Sequence, residues 1–152
     1  MDRAERAAKL FMQGYNCSQS VAIAFADLTG LDEVKSAKLA SSFGAGMGCL
    51  REVCGAVSGM YLVLGMLYGY SNPEDTQGKK EQYAVVQLLA ERFREKTGSI
   101  ICREILKNQA AKPTPSLRTE EYYAQRPCAR LVLLATNILE EYIQNHPLAE
   151  NK

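Results

Sequence analysis

Residues 44–70 read GAGMGCLREVCGAVSGMYLVLGMLYGY, a glycine-rich stretch that continues into a strongly apolar one and carries two of the five cysteines. In the first part, glycine alternates with small or apolar residues, a composition that interrupts regular structure and lets backbone amides approach another group closely. From about Leu50, apolar residues recur at steps of three and four, which places them on one face of a helix. The stretch therefore predicts a glycine loop followed by a central helix that ends near Gly69.

The segments on both sides of this stretch have helical periodicity and helix-terminating residues as well. Three helices are predicted before it, over residues 4–14, from an N-cap at Asn16 to Gly30, and from an N-cap at Asp32 to Phe43. Four helical segments are predicted after it: a long charged helix over residues 73–98, a short one capped by Ser99, a turn over residues 120–124, and a last helix that follows Pro127. Residues 107–119 are predicted to form a surface loop.

No segment shows the sustained alternation of β-branched and polar residues that is typical of strands. We therefore expect an all-α fold, a compact single-domain bundle of six or seven helices over residues 1–152. A chain of 152 residues with 47% hydrophobic residues is large enough to bury such a core without disulfides.

The charge pattern excludes several classes of partner. The formal net charge is +1 and the charges are interspersed, which argues against nucleic acid or an anionic membrane surface as the main partner.

The N-terminus is charged and lacks the pattern of a signal peptide. The longest apolar run, residues 60–68, is too short to span a bilayer. We expect a cytoplasmic protein.

The five cysteines are Cys17, Cys49, Cys54, Cys102 and Cys128. In a reducing compartment such thiols stay reduced unless they bind metal or take part in a catalytic cycle. No two of them form a CxxC pair, so zinc-ribbon and thioredoxin-like sites are excluded. Because His146 is the only histidine, Cys–His catalysis and histidine-rich zinc sites are excluded as well.

Four of these cysteines, all except Cys49, fall in the opening turns of predicted helices. A helix N-terminus carries partial positive charge and unpaired amides, which are expected to stabilise a thiolate and lower the thiol pKa. Thiolates bind soft metals and iron–sulfur clusters and attack disulfides or peroxides. The alternative is a purely structural role, in which each cysteine is a small buried hydrophobic residue.

If these helix starts converge, the thiolates share one site. We take all five cysteines as candidate metal ligands.

The glycine loop is expected to supply amide donors, and the candidate cofactor-binding positions are Gly46, Gly48, Gly55 and Gly59. The glycines do not satisfy the GxGxxG pattern, so a dinucleotide fold is not expected. Arg51 and Glu52, just before Cys54, are interpreted as solvated charges at a helix start, with the tuning of a thiol as the alternative, and Tyr122 and Tyr123 are interpreted as core or rim residues.

Four elements occur in a fixed order along the chain: GYNCSQS at 14–20, GAGMG at 44–48, CGAVSG at 54–59, and the single cysteines Cys102 and Cys128. In this order they resemble the C_GCAxxG_C_C family of redox-active proteins over nearly the whole chain. The sequence departs from the family name at one point, because it reads Cys54-Gly55-Ala56 where the name has Gly-Cys-Ala. One position on a helix is about 100° of rotation, so Cys49 is an alternate to Cys54.

The resemblance also extends to a related domain at the C-terminal end of split-Soret cytochromes, where it implies an iron–sulfur site. The leading hypothesis is a thiolate site for an iron–sulfur cluster or another metal that transfers electrons to a partner of unknown identity. A metal-free thiol–disulfide or peroxide-reducing enzyme is the first alternative. The second is a non-catalytic helical module that forms a homodimer through the apolar face of residues 60–68.

Overall fold

Helices make up nearly all the regular structure in the described part of the chain. The computed structural model describes residues 1–107 and 114–149. Its six longer helices are α1 (Arg3–Met12), α2 (Cys17–Ala24), α4 (Glu33–Ala40), α5 (Gly55–Tyr68), α6 (Thr76–Thr97) and α9 (Cys128–Asn145). Three short helices complete the set: α3 (Ala26–Thr29), α7 (Cys102–Leu106) and α8 (Glu120–Gln125). The predicted all-α fold is confirmed.

Helix α5 lies at the centre because its sequence is apolar on nearly every side. Met60 and Leu64 are fully buried, and α5 packs against α2 and α9, while α1 contacts both of those neighbours. Most of the 60–68 face that could have formed a dimer interface is therefore part of this chain's own core. Among the described helices, none is long and apolar enough to cross a bilayer.

Several predicted helix boundaries are confirmed. Asn16 caps α2 through a capping box, in which its side chain accepts a hydrogen bond from the Gln19 amide and the Gln19 side chain accepts one from the Asn16 amide. Asp32 caps α4 in the same half of the molecule, and Gly98 ends α6 in a left-handed conformation.

Other boundaries are wrong. The second predicted helix breaks at Phe25 into α2 and α3, and the third ends at Ala40, where a 3₁₀ turn (Ser41–Phe43) follows. The central helix begins at Gly55 instead of near Leu50, and Ile101 instead of Ser99 occupies the N-cap of α7. Of the predicted loop over residues 107–119, residues 108–113 lie outside the described part.

Candidate functional site

The four helix-start cysteines do occupy helix starts. Cys17, Cys102 and Cys128 are the first residues of α2, α7 and α9, and Cys54 is the N-cap of α5. These helix starts meet at one cavity of about 250 Å³, which we call the cysteine cavity, and Cys49 lines it too. The structure thus brings all five predicted thiols to a common space.

A short backbone pairing positions two of the thiols. Val53 and Ile101 form an isolated antiparallel bridge. On either side of it, the Cys54 amide donates to the Ile100 carbonyl at 2.7 Å and the Cys102 amide donates to the Glu52 carbonyl at 2.6 Å. Side chains alternate along extended backbone, so Cys54 and Cys102 share the face opposite to Val53 and Ile101. This pairing had no detectable sequence signal, because it spans too few residues to be periodic.

The glycine loop forms a left-handed turn over residues 45–49. All five residues have positive φ, from 56° at Ala45 to 69° at Cys49. The turn is closed by two hydrogen bonds, from the Gly48 amide to the Gly44 carbonyl and from the Cys49 amide to the Ala45 carbonyl. Each left-handed non-glycine residue costs about 1–2 kcal/mol, so the surroundings must hold this conformation in place.

The left-handed turn contacts two of the thiols. The backbone of Ala45 lies near the sulfur of Cys17, where its amide acts to lower the pKa of that thiol. Gly46 lies against Cys102, so close that a Cβ at Gly46 would be 2.6 Å from the Cys102 Cβ.

The four candidate glycines have different surroundings. Gly46, Gly48 and Gly55 line the cysteine cavity. A Cβ at Gly55 would be 2.3 Å from the Cys17 sulfur, so a glycine here leaves room for that thiol. Gly59 lies one turn further along α5, against the Ser18 backbone of α2. A glycine at this position allows α5 to pack closely against α2.

Burial controls the ionisation of the thiols. It is the largest cause of a raised pKa at Cys17, Cys54, Cys102 and Cys128, and it raises the pKa of Cys128 to about 12. Repulsion from neighbouring thiolates adds to the raised pKa at all four. The expectation that helix starts lower these pKa values is therefore wrong for the metal-free protein, because desolvation outweighs the amide hydrogen bonds.

Three further residues of the cavity were not assigned to the site from the sequence, although Arg51 was considered there as a residue that tunes a thiol. Arg51 is not a solvated helix-start charge: it is 6% exposed, and its Nη1 lies 3.9 Å from the Cys102 sulfur. Arg126 lies near Cys102 and Cys128, where its charge lowers both pKa values. Tyr122 lines the same cavity, and its hydroxyl acts to lower the pKa of Cys128. Only their closeness to Cys54 and Cys128 in sequence could have pointed to them.

The thiols share the cavity without forming a tight group. Among the described residues, no three His, Cys, Asp or Glu side chains are close enough together to hold one metal ion. The donors are nonetheless of one chemical kind, sulfur, with two guanidinium groups and a backbone amide beside them. Sulfur donors are the ligands that soft metals prefer.

Comparison with known proteins gives one match. Neither the curated proteins nor the solved structures provided a match to this chain. The family described as "Putative redox-active protein (C_GCAxxG_C_C)" matches residues 15–142. This span begins two residues before Cys17 and includes all five cysteines. The chain therefore belongs to the C_GCAxxG_C_C family of redox-active proteins.

Proposed function

We propose that this protein transfers electrons through a metal centre held by thiolates of the cysteine cavity, and that the centre is an iron–sulfur cluster. The ligands we assign are Cys17, Cys54, Cys102 and Cys128. The observation that carries the proposal is the convergence of four helix-start cysteines on one cavity of about 250 Å³. When bound, the cluster would supply one-electron redox chemistry.

The described thiols are not grouped as the ligands of a single metal ion would be. Four thiolates that bind one zinc ion at about 2.3 Å lie within about 4 Å of one another, and no three potential ligands in the described chain are grouped tightly enough for that. A cluster separates its cysteine ligands by its own width, so it suits thiols that surround a cavity.

The surroundings also suit a negatively charged centre. Four thiolates around a cluster carry net negative charge, which a buried site must compensate. Arg51 and Arg126 supply positive charge near Cys102, and the Ala45 amide acts to lower the pKa of Cys17. Hydrogen bonds to the sulfurs and nearby charge are the features by which a protein adjusts cluster potential.

A metal-free thiol enzyme is less well supported. Attack on a disulfide or peroxide requires a thiolate, and reactive cysteines have lowered pKa values. Burial raises the pKa of the four helix-start thiols instead. Metal coordination overcomes this obstacle because it removes the thiol proton outright.

The decisive experiment is to measure iron and acid-labile sulfide in protein purified without oxygen, together with the absorption spectrum. We expect both elements in stoichiometric amounts, and their loss when any one of the four assigned cysteines is replaced by serine.

Cys49→Ser is the matched control, because this thiol lines the same cavity but starts no helix. This variant should retain the cluster. Absence of iron and sulfide from the wild-type protein would contradict the proposal. Loss in Cys49→Ser with retention in Cys54→Ser would reassign the second ligand.

A further inference from the structure

Arg51 carries a buried positive charge at the wall of the cysteine cavity. Its side chain lines the cavity, and its Nη1 lies 3.9 Å from the sulfur of Cys102, which is buried as well. An arginine side chain does not lose its proton in a protein. The structure thus places a permanent positive charge beside one thiol of the site.

The backbone of Arg51 is held from two directions. Its carbonyl accepts two hydrogen bonds from Arg103, one from the amide and one from Nη1, each at 3.1 Å. The amide of the next residue, Glu52, donates to the Gly46 carbonyl at 2.9 Å. These contacts hold Arg51 in its left-handed conformation, with a φ of 61°.

The same chain pairing holds the thiol end of the contact. The Cys102 amide donates to the carbonyl of Glu52, the residue that follows Arg51, at 2.6 Å. The guanidinium and the sulfur therefore belong to two segments that are bonded to each other directly beside the contact. A charge that is held in place in this way needs no rearrangement when the charge of its neighbour changes.

The charge of Arg51 acts strongly on this sulfur because both groups are buried. The interaction between two charges increases as their distance falls and as water is excluded. Burial raises the pKa of Cys102, and the charge of Arg51 opposes this rise. The guanidinium therefore favours negative charge on the sulfur already in the metal-free protein.

We propose that Arg51 is a positioning residue of the redox site: through its contact with the Cys102 ligand, its guanidinium stabilises the reduced state and raises the reduction potential of the bound centre. The proposal rests on the proposed function. Reduction brings in one electron from a one-electron donor, while Arg51 keeps its proton and no bond to it forms or breaks. Because a fixed cation stabilises the more negative of two states, its removal should make reduction harder.

Arg103 provides a matched control. It directly follows Cys102, but its side chain is 55% exposed and pairs with Glu52 at 3.0 Å. Solvent and this carboxylate screen its charge. Arg103→Gln also disturbs a hydrogen bond to the Arg51 carbonyl, so it controls for a changed backbone as well as for a lost charge.

The first test measures the midpoint potential of the iron-loaded protein by redox titration. In Arg51→Gln we expect about a tenfold loss in the equilibrium constant for reduction, which is about 59 mV toward more negative values for a one-electron couple. Arg51→Lys keeps the charge and should shift the potential by less than half as much. Arg103→Gln should leave it unchanged. Equal shifts in Arg51→Gln and either of the other variants, or no shift in Arg51→Gln, would overturn the proposal.

The second test uses metal-free, reduced protein and so does not depend on the proposed function. The unfolding equilibrium is measured for Arg51→Gln, Cys102→Ala and the double variant. The contact predicts that the two substitutions are non-additive by about threefold in the unfolding constant. Arg51→Gln and Cys128→Ala should add, because the guanidinium whose charge acts on Cys128 is that of Arg126. Additive effects for Arg51 and Cys102 would rule out the contact. A wild-type protein without iron but with this coupling would contradict the proposed function alone.

Discussion

Gly46 occupies the most constrained single position in the site. Its φ is 67°, and a Cβ there would lie 2.6 Å from the Cys102 Cβ and 2.7 Å from the Arg51 Cα. The second of these atoms is backbone, which cannot move away without changing the bridge that positions Cys102. This position therefore needs glycine for both its conformation and its space.

Gly46→Ala should accordingly destabilise the protein by about 3 kcal/mol or more, the sum of left-handed strain and overpacking. Gly48→Ala is the matched control: its φ is 63°, but the nearest atom to a Cβ is 3.7 Å away. This control should cost only about 1–2 kcal/mol. Denaturant unfolding of both variants measures the difference, and equal losses would show that the contact with Cys102 and Arg51 has no energetic effect.

Residue types in the site were easier to predict than residue environments. The cysteines were found from their position at helix starts, because capping residues such as Asn16 and Pro127 are visible in sequence. Arg51 was misinterpreted because it was assigned to an exposed helix end, whereas it precedes the helix in a left-handed conformation (φ 61°) and its side chain is buried. The direction of the thiol pKa shifts was wrong for the same reason, since burial depends on how distant segments pack.

At the level of elements, the approach of α2 to α5 depends on Gly59. A Cβ at this position would lie 2.7 Å from the Ser18 carbonyl oxygen and 3.1 Å from the Val21 Cβ, both on α2. Since Cys17 and Cys54 are at the starts of these two helices, the distance between the helices also sets the distance between two thiols of the cavity.

Gly59→Ala should cost about 2–3 kcal/mol, because a backbone oxygen must shift to admit the methyl group. The same substitution at Gly65 gives the contrast. Gly65 is exposed on α5 and a Cβ there would meet nothing within 4 Å, so Gly65→Ala should stabilise the helix by about 0.5–1 kcal/mol. Thermal unfolding of the two variants should show a lower unfolding temperature for Gly59→Ala and a higher one for Gly65→Ala than for the wild-type protein. A stabilised Gly59→Ala variant would contradict the packing argument.

The elements themselves were predictable wherever periodicity extends over several turns. Helices α1, α6 and α9 have long amphipathic patterns and clear ends, and their predicted ranges agree closely with the structure. The left-handed turn was recognised only as a glycine loop, because composition does not reveal the hand of a turn that includes Ala45 and Met47. The bridge between Val53 and Ile101 joins residues far apart in sequence, which no local pattern indicates.

Considered as a whole, the molecule builds its site from residues that span most of the chain, from Cys17 to Cys128. The thiols are therefore assembled and desolvated only when the protein folds. Thiol ionisation and global stability are linked for this reason.

We expect the metal-free, reduced protein to lose stability as pH rises above about 8.5. In that range the unfolded chain gives up its thiol protons, whereas the folded protein keeps the proton of Cys128, whose pKa is raised to about 12 by burial. The unfolded state is thereby favoured by up to about 1.4 kcal/mol per pH unit for each such thiol, with full stability retained below about pH 8.5.

Urea unfolding at pH 8 and pH 10, under reducing conditions, measures this effect. Cys128→Ala should lose about 2 kcal/mol less than the wild-type protein over the same interval, because one of the linked thiols is gone. An identical pH dependence in the two proteins would mean that Cys128 titrates normally in the folded state.

The meeting of four helix N-termini at one cavity has an electrostatic consequence for the protein as a whole. Each helix N-terminus carries partial positive charge, and its effect falls off within the first turn. A negatively charged group bound in the cavity would be stabilised by about 0.3–1 kcal/mol at each longer helix end that it approaches.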